Sequence, residues 1–206
     1  MSLLVGLTGG LASGKSTLAG WLREAGFLVV DADRVVAELY APGGDGAAAV
    51  ERLFGDRYLT ADGAVDRPQL AARVFADPAA RRRLEAAVHP LVRRRFREIA
   101  GAATGVVAYE ATLLVESGHS EHFDLVVSVE APEERRLGWA VARGMDEAAA
   151  RARLAAQGDG GARRARADRI LDNDGTLDDL RRKANQLIDE LRRAASPAAG
   201  REEIPA

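Results

Sequence analysis

The sequence lacks several features that would place it in particular classes of protein. It contains no cysteine, which excludes disulfides, thiol nucleophiles and thiolate metal sites. No apolar run approaches the roughly 18 residues that a membrane helix needs, and the N-terminus lacks the charged and apolar segments of a secretory signal. The net charge is only −2, so no basic field favours nucleic acid. These absences predict a soluble cytoplasmic protein with neither nucleic acid nor membrane as a partner.

Lysine is nearly absent as well. Among the 29 basic residues only Lys15 and Lys183 are lysines, and arginine fills every other basic position. A lysine at position 15 is compatible with a site that requires a compact ammonium group rather than a planar guanidinium. The segment around Lys15 is therefore the first candidate for a functional site.

Five short apolar segments predict β-strands, and helical patterns separate them. Apolar strands that are linked by helices form a parallel sheet covered on both faces. The chain of 206 residues is therefore expected to form a single α/β domain, with its ligands beyond the carboxyl ends of the strands. The predicted strands cover 3–8, 27–33, 105–111, 124–130 and 169–173.

The segment 44–103 carries no strand signal. Helical patterns at 47–54 and 67–75 are followed by Asp77, which is expected to cap a further helix that has Pro78 at its first position. This region is predicted to be a helical insertion in the α/β domain.

The remaining half of the chain returns to alternating strands and helices. Pro132 is predicted to open a helix after the fourth strand. The segment 144–166 is rich in alanine, arginine and glycine, which is typical of a mobile lid. Thr176 and Asp179 form the signature of a capping box for an amphipathic last helix, and 195–206 is predicted to be a disordered tail.

A glycine-rich motif lies between the first predicted strand and a helix predicted at 16–25. The residues "GGLASGKS" at 9–16 match G-x-x-x-x-G-K-[ST] in full. Such a loop binds phosphate groups through its main-chain amides and the positive end of the helix that follows. The motif therefore predicts a site for a nucleoside triphosphate. The candidate binding residues are Gly10, Ala12, Ser13, Gly14, Lys15, Ser16 and Thr17.

The residues of this loop have distinct tasks. Gly9 and Gly14 permit backbone conformations that a side chain would forbid. Lys15 can neutralise the charge between the β- and γ-phosphates, and Ser16 can offer its hydroxyl to Mg²⁺. Thr17 is a further candidate donor to phosphate.

Two aspartates lie at the end of the second predicted strand. Asp33 is expected to face the phosphate loop, where its carboxylate can orient an acceptor hydroxyl and take its proton late in phosphoryl transfer. Asp31 is either the N-cap of the next helix or a group near the metal. The guanine-binding pattern N-K-x-D is absent, which argues against a GTPase and favours a small-molecule kinase.

Six segments, in order along nearly the whole chain, resemble the dephospho-coenzyme A kinase family. The phosphate loop alone occurs in many families, whereas "DAD" followed by "DR…VFADP…LE…HP" is far more specific. The matching segments are "GLTGGLASGKST" (6–17), "VVDADRVVAEL" (29–39), "VDRPQLAARVFADPAARRRLEAAVHPLV" (65–92), "LLVESG" (113–118), "ARGMDEAAARARLAAQ" (142–157) and "ADRILDNDG" (167–175).

The resemblance implies that the protein transfers the γ-phosphoryl group of ATP to the 3′-hydroxyl of the ribose of dephospho-CoA, with Mg²⁺. Asp33 would position or deprotonate that hydroxyl, while Lys15 and Arg143 would contact the phosphates. Asn173 would lie near the adenine of ATP. His89 would lie at the acceptor site, although a histidine before a proline is otherwise typical of a helix break.

The same resemblance assigns roles to two segments. The insertion at 44–103 would bind CoA, and 144–166 would form the lid. Two alternatives remain: another P-loop nucleoside or nucleotide kinase, and a nucleotide-binding protein without catalysis. The expected assembly is a monomer or a small homo-oligomer.

The chain departs from the family pattern at several positions. Thr112 stands where a proline is usual, and Glu110 replaces an aspartate, which weakens any role assigned to Glu110. Trp139 occupies a position where an arginine is expected, so that one positive charge of the lid is missing. Trp139 itself either packs against the acceptor or covers the core. The candidates to replace the missing charge are Arg135, Arg136 and Arg163.

Overall fold

A computed structural model describes residues 2–196. The tail predicted to be disordered, 195–206, lies outside the described residues from 197 onward. Within them the strands are β1 (Leu3–Gly9), β2 (Leu28–Asp31), β3 (Val106–Glu110), β4 (Leu125–Glu130) and β5 (Arg169–Asp172). They form one sheet in the order β2-β3-β1-β4-β5, and β1 pairs in parallel with both β3 and β4. The predicted α/β fold with a five-stranded parallel sheet is confirmed.

Helices fill most of the sequence between the strands. Within residues 2–196, none of them combines the length and apolar character needed to cross a bilayer. They are α1 (Lys15–Glu24), α2 (Ala32–Leu39), α3 (Asp45–Phe54), α4 (Arg67–Ala76), α5 (Pro78–Gly101), α6 (Glu133–Ala142), α7 (Glu147–Gln157), α8 (Gly161–Arg166) and α9 (Leu177–Ala195).

The sheet, except for Asp31 at the end of β2, and the helices α1 and α6–α9 belong to one compact unit. β1 has a bonded neighbour on each side, and its Val5 and Leu7 are fully buried. The capping box of α9 is present, since Thr176 Oγ1 accepts from the N–H of Asp179 at 3.2 Å and the Asp179 carboxylate accepts from the N–H of Thr176 at 2.8 Å. The apolar stripe of α9 packs into the core of the sheet through Leu180, Ala184, Leu187, Ile188 and Leu191.

A second compact unit, Asp31–Ala102, contains α2–α5 and has an apolar core of its own. It begins before the segment 44–103, because it also includes α2. The N-cap at Asp77 is present, and its carboxylate accepts from the N–H groups of Ala79 and Ala80 at 2.9 and 3.1 Å. The core consists of Ala47, Val50, Tyr58, Val65 and Leu70.

Two local predictions need correction. The strand predicted at 27–33 ends at Asp31, because the Asp31 carboxylate accepts from the N–H groups of Asp33 and Arg34 and so begins α2. Asp31 is therefore a helix cap. The helix does not break at the proline that follows His89, since α5 continues through Pro90. Burial along this helix, for example of Val92 at 8% exposure, offsets the roughly 3 kcal/mol that an internal proline costs.

Candidate active site

The phosphate loop leads from the end of β1 into α1 and has a strained backbone. Ala12 has φ of 56°, and within the described residues it is the only non-glycine residue with a positive φ. Gly14 caps α1 with φ of 106°, and a Cβ there would lie 2.7 Å from the amide nitrogen of Asn173. Strained non-glycine residues are typical of ligand-binding loops, where the surrounding structure must hold them in place.

Side chains from distant parts of the chain hold this loop in shape. The side-chain amide of Asn173 donates to the carbonyl of Ser13 at 2.9 Å, and the Asn173 N–H donates to the carbonyl of Glu130 at 2.7 Å. The N–H of Leu11 donates to Gln157 Oε1 at 2.7 Å. Asn173, which we expect near adenine, is buried and fixes the loop through its amide. None of these hydrogen bonds could be predicted from the sequence.

Glu110 makes the closest polar contacts at the start of α1. It ends β3, the strand beside β1, and its Oε1 accepts from Lys15 Nζ at 2.7 Å and from Ser16 Oγ at 2.8 Å. Arg23 contributes a longer contact of 3.5 Å to Oε2. Burial works to raise the pKa of Glu110, but hydrogen bonds and charge from Lys15, with Ser16 and Arg23, prevail and lower it. Glu110 is therefore an ionised carboxylate beside the phosphate loop, although its departure from the family pattern argued against a role at this position.

The same atoms fit a magnesium ion. Mg²⁺ prefers oxygen ligands, and it is usually held by one or two protein groups together with phosphate oxygens and water. Ser16 Oγ and the Glu110 carboxylate lie within 2.8 Å of each other and supply such oxygens. Within residues 2–196 no cluster of three or more histidine, aspartate or glutamate side chains could form a complete metal cage. The donor set therefore suits a metal that arrives with a nucleotide.

A cavity of about 390 Å³ opens beside the loop. Leu11 and Ala12 form one wall, and Arg143, the C-cap of α6, contributes an exposed guanidinium group. The cavity thus joins the predicted nucleotide loop to one of the predicted phosphate-binding arginines. Its lining residues are Leu11, Ala12, Ala140, Arg143, Gly144 and Met145.

Asp33 and His89 both lie in the unit Asp31–Ala102. Asp33 is in the first turn of α2, and α2 contacts α5, the helix that carries His89. An ion pair of 3.6 Å between Arg95 and Glu38 also joins these two helices. Burial lowers the pKa of His89, against an opposing effect of Glu85 and with a smaller contribution from Arg93. His89 is therefore biased toward its neutral form.

Trp139 is half-buried on α6. The guanidinium of Arg135 stacks over its ring at 4.9 Å and donates to the carbonyl of Gly175 at 2.7 Å. Arg135 is thus engaged between Trp139 and the loop before α9.

The lysine and serine that end the phosphate loop, together with a carboxylate at the end of the adjacent parallel strand, are the features of a P-loop nucleotide-binding protein. Residues 3–179 match the family model described as dephospho-CoA kinase. A dephospho-CoA kinase of Streptomyces avermitilis is 46% identical over 97% of this chain and 100% of its own. The chain belongs to the dephospho-CoA kinase family.

Solved structures agree with this assignment. A protein of Thermus thermophilus superposes with a TM-score of 0.81 at 35% identity, covering 92% of this chain and 98% of its own. Dephospho-CoA kinase from Campylobacter jejuni superposes with a TM-score of 0.73 at 26% identity, covering 95% of this chain and 100% of its own.

Proposed function

We propose that this protein phosphorylates the 3′-hydroxyl of the ribose of dephospho-CoA with ATP and so produces coenzyme A. The observation that carries the proposal is the joint contact of Lys15 and Ser16 with Glu110 at the phosphate loop of a dephospho-CoA kinase family member. ATP and dephospho-CoA are the two substrates. A cytoplasmic location and a monomeric or small oligomeric state remain predictions.

The phosphate loop supplies the binding site for ATP. Phosphoryl transfer passes through a loose transition state, so positioning and charge stabilisation carry most of the catalysis. In this proposal the amides of Gly10–Thr17 bind the phosphates, and Lys15 turns from Glu110 to the triphosphate. Mg²⁺, held by Ser16 and Glu110, would neutralise part of the phosphate charge.

Asp33 is the proposed catalytic residue on the acceptor side. Its carboxylate orients the ribose hydroxyl and accepts its proton late in the reaction, for which an ordinary aspartate is sufficient. His89 is proposed to contact the acceptor as a neutral imidazole. The unit Asp31–Ala102 would hold CoA, since it includes both residues.

Arg143 and the helices α7 and α8 are proposed to cover the phosphates. Arg143 lines the cavity beside Leu11 and Ala12, and Gln157 at the end of α7 already contacts the loop. Closure of such a segment excludes water, which would otherwise hydrolyse ATP. Asn173 is proposed to lie beside the adenine while it holds the loop.

A comparison of acceptors tests the proposal. The purified protein is incubated with ATP and Mg²⁺, and with dephospho-CoA, AMP, CMP or a nucleoside as acceptor. We expect ADP and coenzyme A with dephospho-CoA alone. Transfer to a nucleoside monophosphate in its place would identify a nucleotide kinase, and binding of ATP without transfer to any acceptor would identify a non-catalytic protein.

A further inference from the structure

Two arginines are buried against the phosphate loop. Arg136 of α6 is 3% exposed and Arg163 of α8 is 1% exposed. Arg163 is paired, since its Nε donates to Glu130 at 2.9 Å and its Nη1 donates to Glu116 at 2.6 Å. Its third nitrogen, Nη2, has no hydrogen-bond partner among residues 2–196.

Arg136 is much less well satisfied. Neither its Nε nor its Nη1 finds an acceptor in the part of the chain that the structure describes. Burial and the charge of Arg163 lower the pKa of Arg136, against weaker opposing effects of Glu130 and Glu133. A buried cation with unused donors is costly, and an anion that accepts from those donors would remove the cost.

The unused donors point at the first half of the phosphate loop. A Cβ placed on Gly10 would collide with Nη1 of Arg136 and would lie 3.3 Å from Nη2 of Arg163. The side-chain oxygen of Gln157 would also lie 3.3 Å from such a Cβ, but this oxygen already accepts a hydrogen bond from the N–H of Leu11. A side chain at position 10 would therefore displace the guanidinium of Arg136 from its place beside the loop.

The geometry of α6 directs Arg136 and Arg143 to the same side. Arg136, Ala140 and Arg143 are four and three residues apart, which places them on one face of the helix. Ala140 and Arg143 line the cavity beside the phosphate loop. The ring of Trp139 is covered by the guanidinium of Arg135.

We propose that Arg136, with Nη2 of Arg163 beside it, donates hydrogen bonds to phosphate oxygens of the bound nucleoside triphosphate. Arg136 thereby supplies the positive charge that Trp139 cannot supply. This inference rests on the proposed function only in taking ATP as the donor. A purely structural arginine would have its donors engaged by the protein, as Nε and Nη1 of Arg163 are.

Binding and melting measurements on matched variants test this inference. Arg136→Met keeps the length of the side chain and removes its charge, whereas Arg136→Lys keeps the charge. Arg182→Gln is the control, because Arg182 is an exposed arginine of α9 paired with Asp179. Calorimetry gives the dissociation constant of the non-hydrolysable analogue AMP-PNP with Mg²⁺, and thermal unfolding without nucleotide gives the melting temperature.

We expect Arg136→Met to weaken AMP-PNP binding about 10- to 100-fold, as for loss of charge-assisted hydrogen bonds. The AMP-PNP affinity of Arg136→Lys should lie between those of Arg136→Met and the parent protein. Arg182→Gln should have the same affinity as the parent. Without nucleotide, Arg136→Met should melt no lower than the parent, because an unsatisfied buried charge has been removed.

Parent-like AMP-PNP affinity in Arg136→Met would overturn the inference. A lower melting temperature in both Arg136 variants would also overturn it, because that result would show a structural role. The measurement contains no acceptor, so it does not depend on the proposed transfer to dephospho-CoA. That function fails on its own if the parent protein transfers no phosphoryl group to dephospho-CoA.

Discussion

Replacing Glu110 by glutamine would keep the shape of the side chain and remove its charge. The carboxylate is 6% exposed and Lys15 is 13% exposed, so water screens their 2.7 Å contact weakly. A hydrogen bond to a charged group contributes about 1.5–3 kcal/mol, against about 0.5–1.5 kcal/mol for a neutral one. With Lys15 and Ser16 both bonded to Oε1, the free energy of unfolding should fall by about 2 kcal/mol.

This loss can be measured by chemical and thermal unfolding. For a chain of this size, about 2 kcal/mol corresponds to a fall in melting temperature of about 4–8 °C. The effect should depend on pH, because the pKa of Glu110 is lowered in the folded protein from its ordinary value of 4.5. The stabilisation is then complete above pH 4.5 and is lost as the pH falls through the lowered value. The difference between parent and variant should therefore shrink in acid.

The same substitution should also affect catalysis. The variant would lack the carboxylate that we propose to hold Mg²⁺ with Ser16, so kcat/KM should fall about 10- to 100-fold, and half-maximal activity should require more Mg²⁺. Glu110→Asp keeps the charge and should retain more activity. Glu190→Gln, at a surface carboxylate that pairs with Arg169, should leave activity unchanged.

Two results would refute this reasoning. One is an unfolding free energy of Glu110→Gln within about 0.5 kcal/mol of the parent, as for an ordinary surface substitution. The other is an unchanged dependence of the reaction rate on Mg²⁺ concentration.

Three further predictions concern Lys15, Asp33 and His89. Lys15→Ala should lower kcat about 10²- to 10³-fold with the fold intact, because a preorganised charge at the phosphates is lost; steady-state kinetics and circular dichroism check this, and parent-like kcat would contradict it. Asp33→Asn should bind AMP-PNP normally while kcat falls about 10²- to 10⁴-fold; unchanged turnover would remove the catalytic role of Asp33. Burial lowers the pKa of His89 from 6.5, so the free energy of unfolding should rise with pH up to about that value. His89→Asn should abolish this slope in a series of urea unfolding curves at different pH. An identical slope in the variant would assign the effect to other groups.

The sequence was sufficient for most features whose signal is local, although it placed the end of β2 two residues too far along the chain. The strands are short apolar runs, and the phosphate loop is a contiguous motif whose spacing specifies both the turn and the start of α1. The caps at Asp77 and Thr176 also act over two or three residues. Such features depend on neighbours in the chain, so they can be predicted before the fold is known.

The contacts around the loop could not be predicted in this way. Glu110 lies 95 residues from Lys15 and becomes its neighbour only because β3 pairs with β1. Asn173 is 160 residues from Ser13. Both contacts follow from the order of the strands, which the sequence pattern does not determine. The sequence likewise leaves Arg136 as one of three candidate arginines, and two buried nitrogens without an acceptor in the described part of the chain, against one in Arg163, favour it.

Lys15 and Arg136 differ in how their side chains are paired before a nucleotide binds. Lys15 is paired with Glu110, so in the proposed function it would exchange that partner for phosphate, and Glu110 would then be free to hold a metal ion. Arg136 has two donors without an acceptor in the described part of the chain, so it gains partners without giving any up. In the proposed complex, the gain at Arg136 would offset the cost of separating Lys15 from Glu110. The chain therefore has tryptophan at position 139, yet it keeps a positive charge of α6, that of Arg136, beside the phosphate loop.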